Sequence, residues 1–295
     1  MQREGASGPT SAKWVSKYGS VMTSFYNVAS IDGMNEKGLV ANTLYLAETD
    51  YGKSDGKPLI SVAVWGQYVL DNFATVAEAV QALAKEPIRV TTHSLPNGSA
   101  ASGHLAISDP TGDSAIFEYI DGELRIHHGK QYTVMTNSPI FDEQLALNEY
   151  WKTVGGQQFL PGTNRASDRF VRASFLLSNL PTAIDENVVT AVPGQTFENQ
   201  ALASMTSLIR GVSVPLGISV PDQPNIASTF WRSVADQRAL TYTFDSATSP
   251  NVFWVDLKKV DFTKQEPSKL PVAGGMIYSG EVSAKFKPAK LFDWL

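Results

Sequence analysis

Asn137, Arg210 and Tyr45 each combine a chemically able residue with a setting that would aim it. Asn137 stands in "TNSP", directly after a short apolar run. Its amide either closes an Asx turn or presents an N–H to a ligand. Arg210, in "SLIRGVSVP", lies between an apolar helical stretch and an apolar strand. An arginine so placed is usually paired with a carboxylate. Tyr45 in "NTLYL" alternates with apolar neighbours and reads as core or half-buried sheet. Asp168, Arg169 and Arg172 in "DRFVR" read as a solvated helix face with intrahelical ion pairs.

Other chemistries find less support. The sequence contains no cysteine, which removes disulfides, thiolate ligands and a cysteine nucleophile from these 295 residues. Its histidines are His93, His104, His127 and His128. No two of them have helical i, i+4 spacing with an acidic partner, so no metal or other cofactor is expected. His127 and His128 read as turn residues in water. No G-x-S-x-G, P-loop or GxGxxG occurs. The net charge is −5 with both signs interspersed, which argues against nucleic acid as a partner. No apolar run approaches the roughly 20 residues of a membrane span. The polar start "MQREGASGPTSAKW" is not a signal peptide.

The elements that must position these residues are mostly strands. Tyr18 to Tyr26 and Gly38 to Glu48 are β-prone, separated by the turn-like "IDGMNEKG", where Gly33 and Gly38 can take positive φ. Leu59 to Leu70 is apolar without a clear period. Phe73, Val76, Val80 and Leu83 recur at helical spacing until Pro87. The runs Leu105–Ser108, Ser114–Tyr119, Glu123–His127 and Tyr132–Thr136, with hairpin signals between them, predict an antiparallel meander. Helices follow at Asp142–Trp151, from Ser167 (whose hydroxyl can cap it) towards Pro181, and at Asn199–Ile209. A long hairpin from Ala239 to Phe262 turns at Pro250. "QPNIAST" and "KQEPSKLPVAGG" read as loops or a terminal arm. Without βαβ alternation, repeats or a linker, the order predicts an α+β layered fold in a single domain, residues 1–295.

Four ordered motifs make the chain resemble a known family: "DGMNEKGL" (Asp32 to Leu39), "TNSPIFDEQL" (Thr136 to Leu145), "SDRFVRASFL" (Ser167 to Leu176) and "IRGVSVPLG" (Ile209 to Gly217). They are similar to the penicillin V acylase and bile salt hydrolase group, the choloylglycine hydrolases. Trp231 to Phe262 also resembles the acylases of Gram-negative bacteria. The resemblance implies an N-terminal-nucleophile hydrolase fold, an αββα four-layer sandwich of two antiparallel sheets between helices, in a homotetramer. It implies hydrolysis of a linear amide in a small acylated substrate, with the α-amine of an N-terminal cysteine as base. By the same resemblance, Asn137 matches the side-chain donor of the oxyanion hole. Tyr45 matches the position whose backbone N–H is the second donor and whose side chain borders the pocket. An aromatic residue there is an acylase trait, whereas bile salt hydrolases tend to carry Asn. Arg210 matches an arginine near the nucleophile that pairs with an acid.

One departure follows. The family's nucleophilic Cys, and an Arg and an Asp soon after it, would lie upstream of Met1. The chain therefore reads first as N-terminally truncated and inactive as given. The other readings are a pseudoenzyme that binds acyl amides or bile acids, and an alternative nucleophile that nothing positions. Penicillins and N-acyl homoserine lactones are the expected substrate classes. A full-length form with a signal would be periplasmic, and the chain as given cytoplasmic.

Overall fold

The computed structural model describes residues 1–5, 9–92, 100–220, 228–264 and 266–291. His93 and most of "QPNIAST" lie outside the described residues. The chain divides into two compact units. The first holds Met1–Thr133, Ala235–Thr243 and Asn251–Leu295; the second holds Val134–Val234 and Phe244–Pro250.

The first unit begins with strands β1 (Gln2–Glu4), β2 (Lys13–Val15), β3 (Ser20–Phe25), β4 (Ala29–Asn35), β5 (Val40–Leu44) and β6 (Leu59–Ser61). Helices α1 (Val62–Asn72) and α2 (Val76–Leu83) follow, then β7 (Arg89–Thr91), β8 (His104–Ser108), β9 (Ser114–Ile120) and β10 (Glu123–His128). Six of these strands form one antiparallel sheet in the order β10-β9-β8-β5-β4-β3. The register pairs Ala41 with Ile107, Ile107 with Ala115 and Leu105 with Phe117. Because strand side chains alternate, these residues share one face. They are buried in one cluster with Trp65, Val69 and Leu70 of α1. Each buried Leu, Ile, Val or Phe among them contributes on the order of 1.5–3 kcal/mol, the alanines less.

The apolar stretch Leu59 to Leu70 is a short strand followed by a helix. Ser61 Oγ accepts the Ala63 N–H at 3.2 Å and starts α1. Val62 to Gln67, Val69, Leu70 and Asp71 are all buried, which is why no amphipathic period is visible. Phe73 does not open the next helix but caps α1, and Thr75 starts α2 by accepting the Glu78 N–H. Asp71, fully buried, accepts from Trp14 Nε1 (2.8 Å), Ser16 Oγ (2.9 Å) and Gln67 Nε2 (2.8 Å) and forms an ion pair with Arg3, whose Nε lies at 2.8 Å, fastening the β1–β2 hairpin to α1.

The "IDGMNEKG" segment is half strand. Gly38 takes the expected left-handed conformation at φ +82°. Gly33 instead lies within β4, where a Cβ would come 2.3 Å from Val21 O and 2.4 Å from Met22 Sδ. Glycine is needed there for close strand approach, not for a turn. The buried Asn35 closes the β4–β5 connection. Its Oδ1 accepts from Lys37 N and Leu39 N, and its Nδ2 donates to Leu70 O and Phe73 O.

The second unit carries α3 (Phe141–Val154), α4 (Ala166–Ser178) and α5 (Phe197–Gly211). The expected helices are all present, with shifted ends. Ser167 does not cap α4, because Ala166 already belongs to it and the cap position is Arg165. Thr163 and Asp168 close that end instead, through Thr163 N–H and Oγ1 donating to Asp168 Oδ2. Phe141 and Phe170 meet edge to face at 6.0 Å and join α3 to α4.

The expected strand Tyr132–Thr136 is absent; this stretch runs as coil. Side chains bind its polar groups: Tyr132 O accepts from Ser114 Oγ at 2.8 Å, and Thr136 Oγ1 bonds Ala166 O at 2.9 Å.

The remaining strands are β11 (Trp231–Asp236), β12 (Thr241–Ser246), β13 (Val252–Asp256), β14 (Ser268–Lys269), β15 (Gly280–Glu281) and β16 (Lys287–Pro288). A sheet runs in the order β11-β12-β13-β15 and includes the expected hairpin. Strand β11 carries no sequence signal because all its residues are half-buried and no apolar face alternates. Among the described residues, no helix is long and apolar enough to cross a membrane.

Candidate active site

The turn that carries Asn137 is tied to α3 by the Gln144 side chain. Gln144, in the first turns of α3 and fully buried, donates through Nε2 to Asn137 O and Pro139 O. Its Oε1 accepts from Thr136 Oγ1 at 3.0 Å, with Thr136 N–H at 3.4 Å. One amide thus ties both ends of the turn to the helix that follows.

The side chain of Asn137 is held separately. Arg169, on α4, donates from Nη2 to Asn137 Oδ1 at 2.7 Å. Its Nε donates to Asn164 O at 3.1 Å. Arg172 donates from Nη1 to Pro161 O at 2.7 Å and Thr163 O at 2.8 Å. The "DRFVR" arginines are therefore more than a solvated face: both reach out of the helix to the preceding loop, Arg169 reaches Asn137 as well, and Asp168 acts on Arg172 by its charge. Burial, and then the neighbouring charge of Arg172, pushes the Arg169 guanidinium down to about 10. It stays charged at neutral pH. An amide whose oxygen faces a cation has its NH₂ on the opposite corner, as an oriented donor.

Arg210 lies in the last turn of α5 with a half-exposed side chain. The sequence-based pairing with an acid is present. Arg210 Nε donates to Asp245 Oδ2 at 2.8 Å, and Arg232 Nη1 reaches the same oxygen at 3.3 Å. Arg232 Nε also donates to Ser213 Oγ at 2.7 Å. The hydrogen bond to Asp245 raises the Arg210 pKa above its ordinary value. Asp245 is buried and lies on β12, 35 residues beyond Arg210.

Tyr45 directly follows the last residue of β5, outside the strand, and is half-buried rather than core. It belongs to the first unit, and Asn137 and Arg210 belong to the second. Within the second unit, α4, α5 and the Val188–Val192 region enclose an open apolar hollow of about 400 Å³ that includes Leu176, Leu180 and Leu208. Asn137, Arg169 and Arg210 do not line it.

The histidines expected in a turn end strand β10 instead, with His128 Nε2 at 2.9 Å from Asp113 Oδ2. Buried His104 sits with Nδ1 at 2.7 Å from Glu118 Oε1. Among the described residues, no three His, Asp or Glu side chains are grouped to hold a metal ion.

Sequence reasoning missed Gln144 and Asp245 and misread Arg169. A glutamine inside a helix and an aspartate on a strand carry no local mark. Their roles come from partners elsewhere in the chain.

Comparison with known proteins identifies the family. The family model for linear amide C–N hydrolases of the choloylglycine hydrolase family matches residues 10–269. A penicillin V acylase of Pectobacterium atrosepticum is 50% identical, over 100% of this chain and 82% of that protein. A conjugated bile acid hydrolase of Lactobacillus acidophilus is 25% identical over 74% of this chain and 71% of that one. Among solved structures, the penicillin V acylase of Agrobacterium tumefaciens superposes with a TM-score of 0.87 at 51% identity, covering 100% of this chain and 88% of that chain. A variant of the Clostridium perfringens conjugated bile acid hydrolase shares the fold, with a TM-score of 0.68 at 22% identity over 89% and 84% of the two chains. The fold is thus that of the N-terminal-nucleophile hydrolases, as the motifs implied. The chain is an amide hydrolase belonging to the choloylglycine hydrolase family, the linear amide C–N hydrolases.

Proposed function

We propose that the enzyme cleaves the side-chain amide of penicillin V and related acyl amides, with N-acyl homoserine lactones as a second substrate class. The observation that carries this is the 50% identity to a penicillin V acylase along the whole chain. The family model runs through both units, which supports reading residues 1–295 as one domain.

In this reading the nucleophile is the thiol of an N-terminal cysteine. The present sequence has no cysteine and is inactive by itself. The thiol proton passes to the cysteine's own α-amine as sulfur bonds the acyl carbon. The oxyanion so formed is met by Asn137 Nδ2 and the Tyr45 backbone N–H. The C–N bond breaks as the leaving nitrogen takes the proton, and water then cleaves the thioester to acid and free thiol. Tyr45 borders the acyl pocket. Arg210, fixed by Asp245, contributes positive charge near the reacting groups. The active form is a homotetramer, which light scattering after size exclusion would check, and export to the periplasm fits a form with a signal.

The test is to supply penicillin V, an acyl homoserine lactone and a taurine-conjugated bile acid to this chain and to a form bearing an N-terminal cysteine, and to measure free amine. The expected order for the cysteine-bearing form is penicillin V first and the bile acid last. If that form releases no amine from any of them, the reading is wrong. Because the sequence has no cysteine, a second reading is a non-catalytic binder of acyl amides or bile acids. Turnover by the cysteine-bearing form excludes it.

A further inference from the structure

A side-chain amide has two ends of nearly equal size and opposite chemistry. Rotating it by half a turn exchanges an N–H donor for a C=O acceptor. For an oxyanion the two orientations are opposites, since one stabilises the charge and the other repels it. A neutral neighbour with both a donor and an acceptor would accept either. A guanidinium has five N–H donors and no lone pair, so it tolerates only the amide oxygen.

Arg169 is such a neighbour, at 2.7 Å from Asn137 Oδ1. Its own orientation is set by a second bond, from Nε to Asn164 O at 3.1 Å. We propose that Arg169 is a positioning residue for amide hydrolysis, fixing Asn137 with Nδ2 towards the substrate oxygen and polarising that N–H. This rests on the assignment of Asn137 as an oxyanion donor made above. Arg169 acts through Asn137 and needs no contact with substrate. A cation on the amide oxygen draws electron density from nitrogen and strengthens its N–H as a donor. Gln144 holds the backbone of the same residue, so main chain and side chain are fixed by different helices.

The test uses a form of the chain bearing an N-terminal cysteine, with penicillin V as substrate. Asn137→Ala is expected to lower kcat by about 10²–10³-fold. Arg169→Met should lower kcat by about 10–100-fold with KM within about twofold, because the interaction matters only when charge develops. Arg169→Lys, still a donor-only cation, should recover part of the loss. The double variant should be no slower than Asn137→Ala alone within about threefold, because the two residues act as one unit. If Asn137→Ala keeps wild-type turnover, the oxyanion assignment itself fails and Arg169 falls with it. If only Asn137→Ala is impaired, the assignment stands and the positioning role is overturned. If the two losses multiply, Arg169 is merely a structural clamp, and the proposal is again overturned. A second readout needs no turnover: the Asn137 side-chain ¹⁵N–¹H resonances of the present chain should shift in Arg169→Met and return towards wild type in Arg169→Lys. Unchanged resonances in a folded Arg169→Met protein would count against the bond.

Discussion

Replacing Gln144 by Met tests whether one buried amide holds the Asn137 turn. Methionine fills nearly the same volume, so the packing cost should stay below about 1 kcal/mol. What is lost is the Nε2 group and its two donations, to Asn137 O and Pro139 O. Each carbonyl costs about 1 kcal/mol if water replaces the donor and up to about 3 if it does not. Thr136 contributes less, because its single hydroxyl hydrogen still finds Ala166 O at 2.9 Å and its N–H loses only a long 3.4 Å bond to Oε1. The sum is a loss of about 2–7 kcal/mol, read as a shift in urea midpoint at constant slope. Turnover of the cysteine-bearing form should fall at least about tenfold, since a displaced turn misplaces Asn137.

Gln144→Glu sharpens the test. Its carboxylate would face two carbonyl oxygens, so its folded pKa should rise above the unfolded value of about 4.3. The associated stability is then complete below that value and lost as pH rises through the folded pKa. Relative to Gln144→Met, the Glu variant should gain stability on moving from neutral pH to about 5. A loss under about 1 kcal/mol for Met, or no pH difference between Glu and Met, would refute the reasoning.

Asp245→Asn leaves the Arg210 and Arg232 guanidinium groups around a neutral partner. Arg210 is half-exposed and its share is screened, so the expected loss is about 1–3 kcal/mol, mostly through Arg232, and smaller at high salt. Urea unfolding at low and high salt checks it. Gly33→Ala should cost about 2–3 kcal/mol or more, because the added carbon meets the Val21 carbonyl and Met22 Sδ inside β4. Gly56→Ala, with nothing within 4 Å but φ at +77°, should cost only about 1 kcal/mol. Thermal melts of the pair would show whether close approach outweighs backbone conformation.

Legibility in the sequence followed locality. Strands β8 to β10 were readable because β-prone composition and the Asp121–Gly122 turn are local signals, and Gly122 does take φ +80°. Helix α1 was hidden because it is buried on nearly every side, which erases the periodicity by which a helix is recognised. Tyr132–Thr136 has strand composition, but side chains from Ser114 and Gln144 bind its backbone before another strand does. At the site, Asn137 stood out only through its motif. The groups that orient it come from α3 and α4, and nothing in "DRFVR" distinguishes a solvated arginine from one facing an amide oxygen. The acid expected beside Arg210 is Asp245, whose position depends on the register of a hairpin rather than on spacing.

The strand order of the large sheet bears on how the first unit folds. Strands β3, β4 and β5 are neighbours in both sequence and space, and so are β8, β9 and β10. Only the β5–β8 seam joins distant residues, across the segment from Tyr45 to Gly103 that contains α1 and α2. Each meander can form by quick, short-range closure, whereas the seam carries nearly all the loop-closure entropy. The slow event is therefore the docking of two ready-made ribbons along Val40–Leu44 and His104–Ser108. Until it happens both ribbons expose a central edge, and the chain is then most open to pairing with a copy of itself.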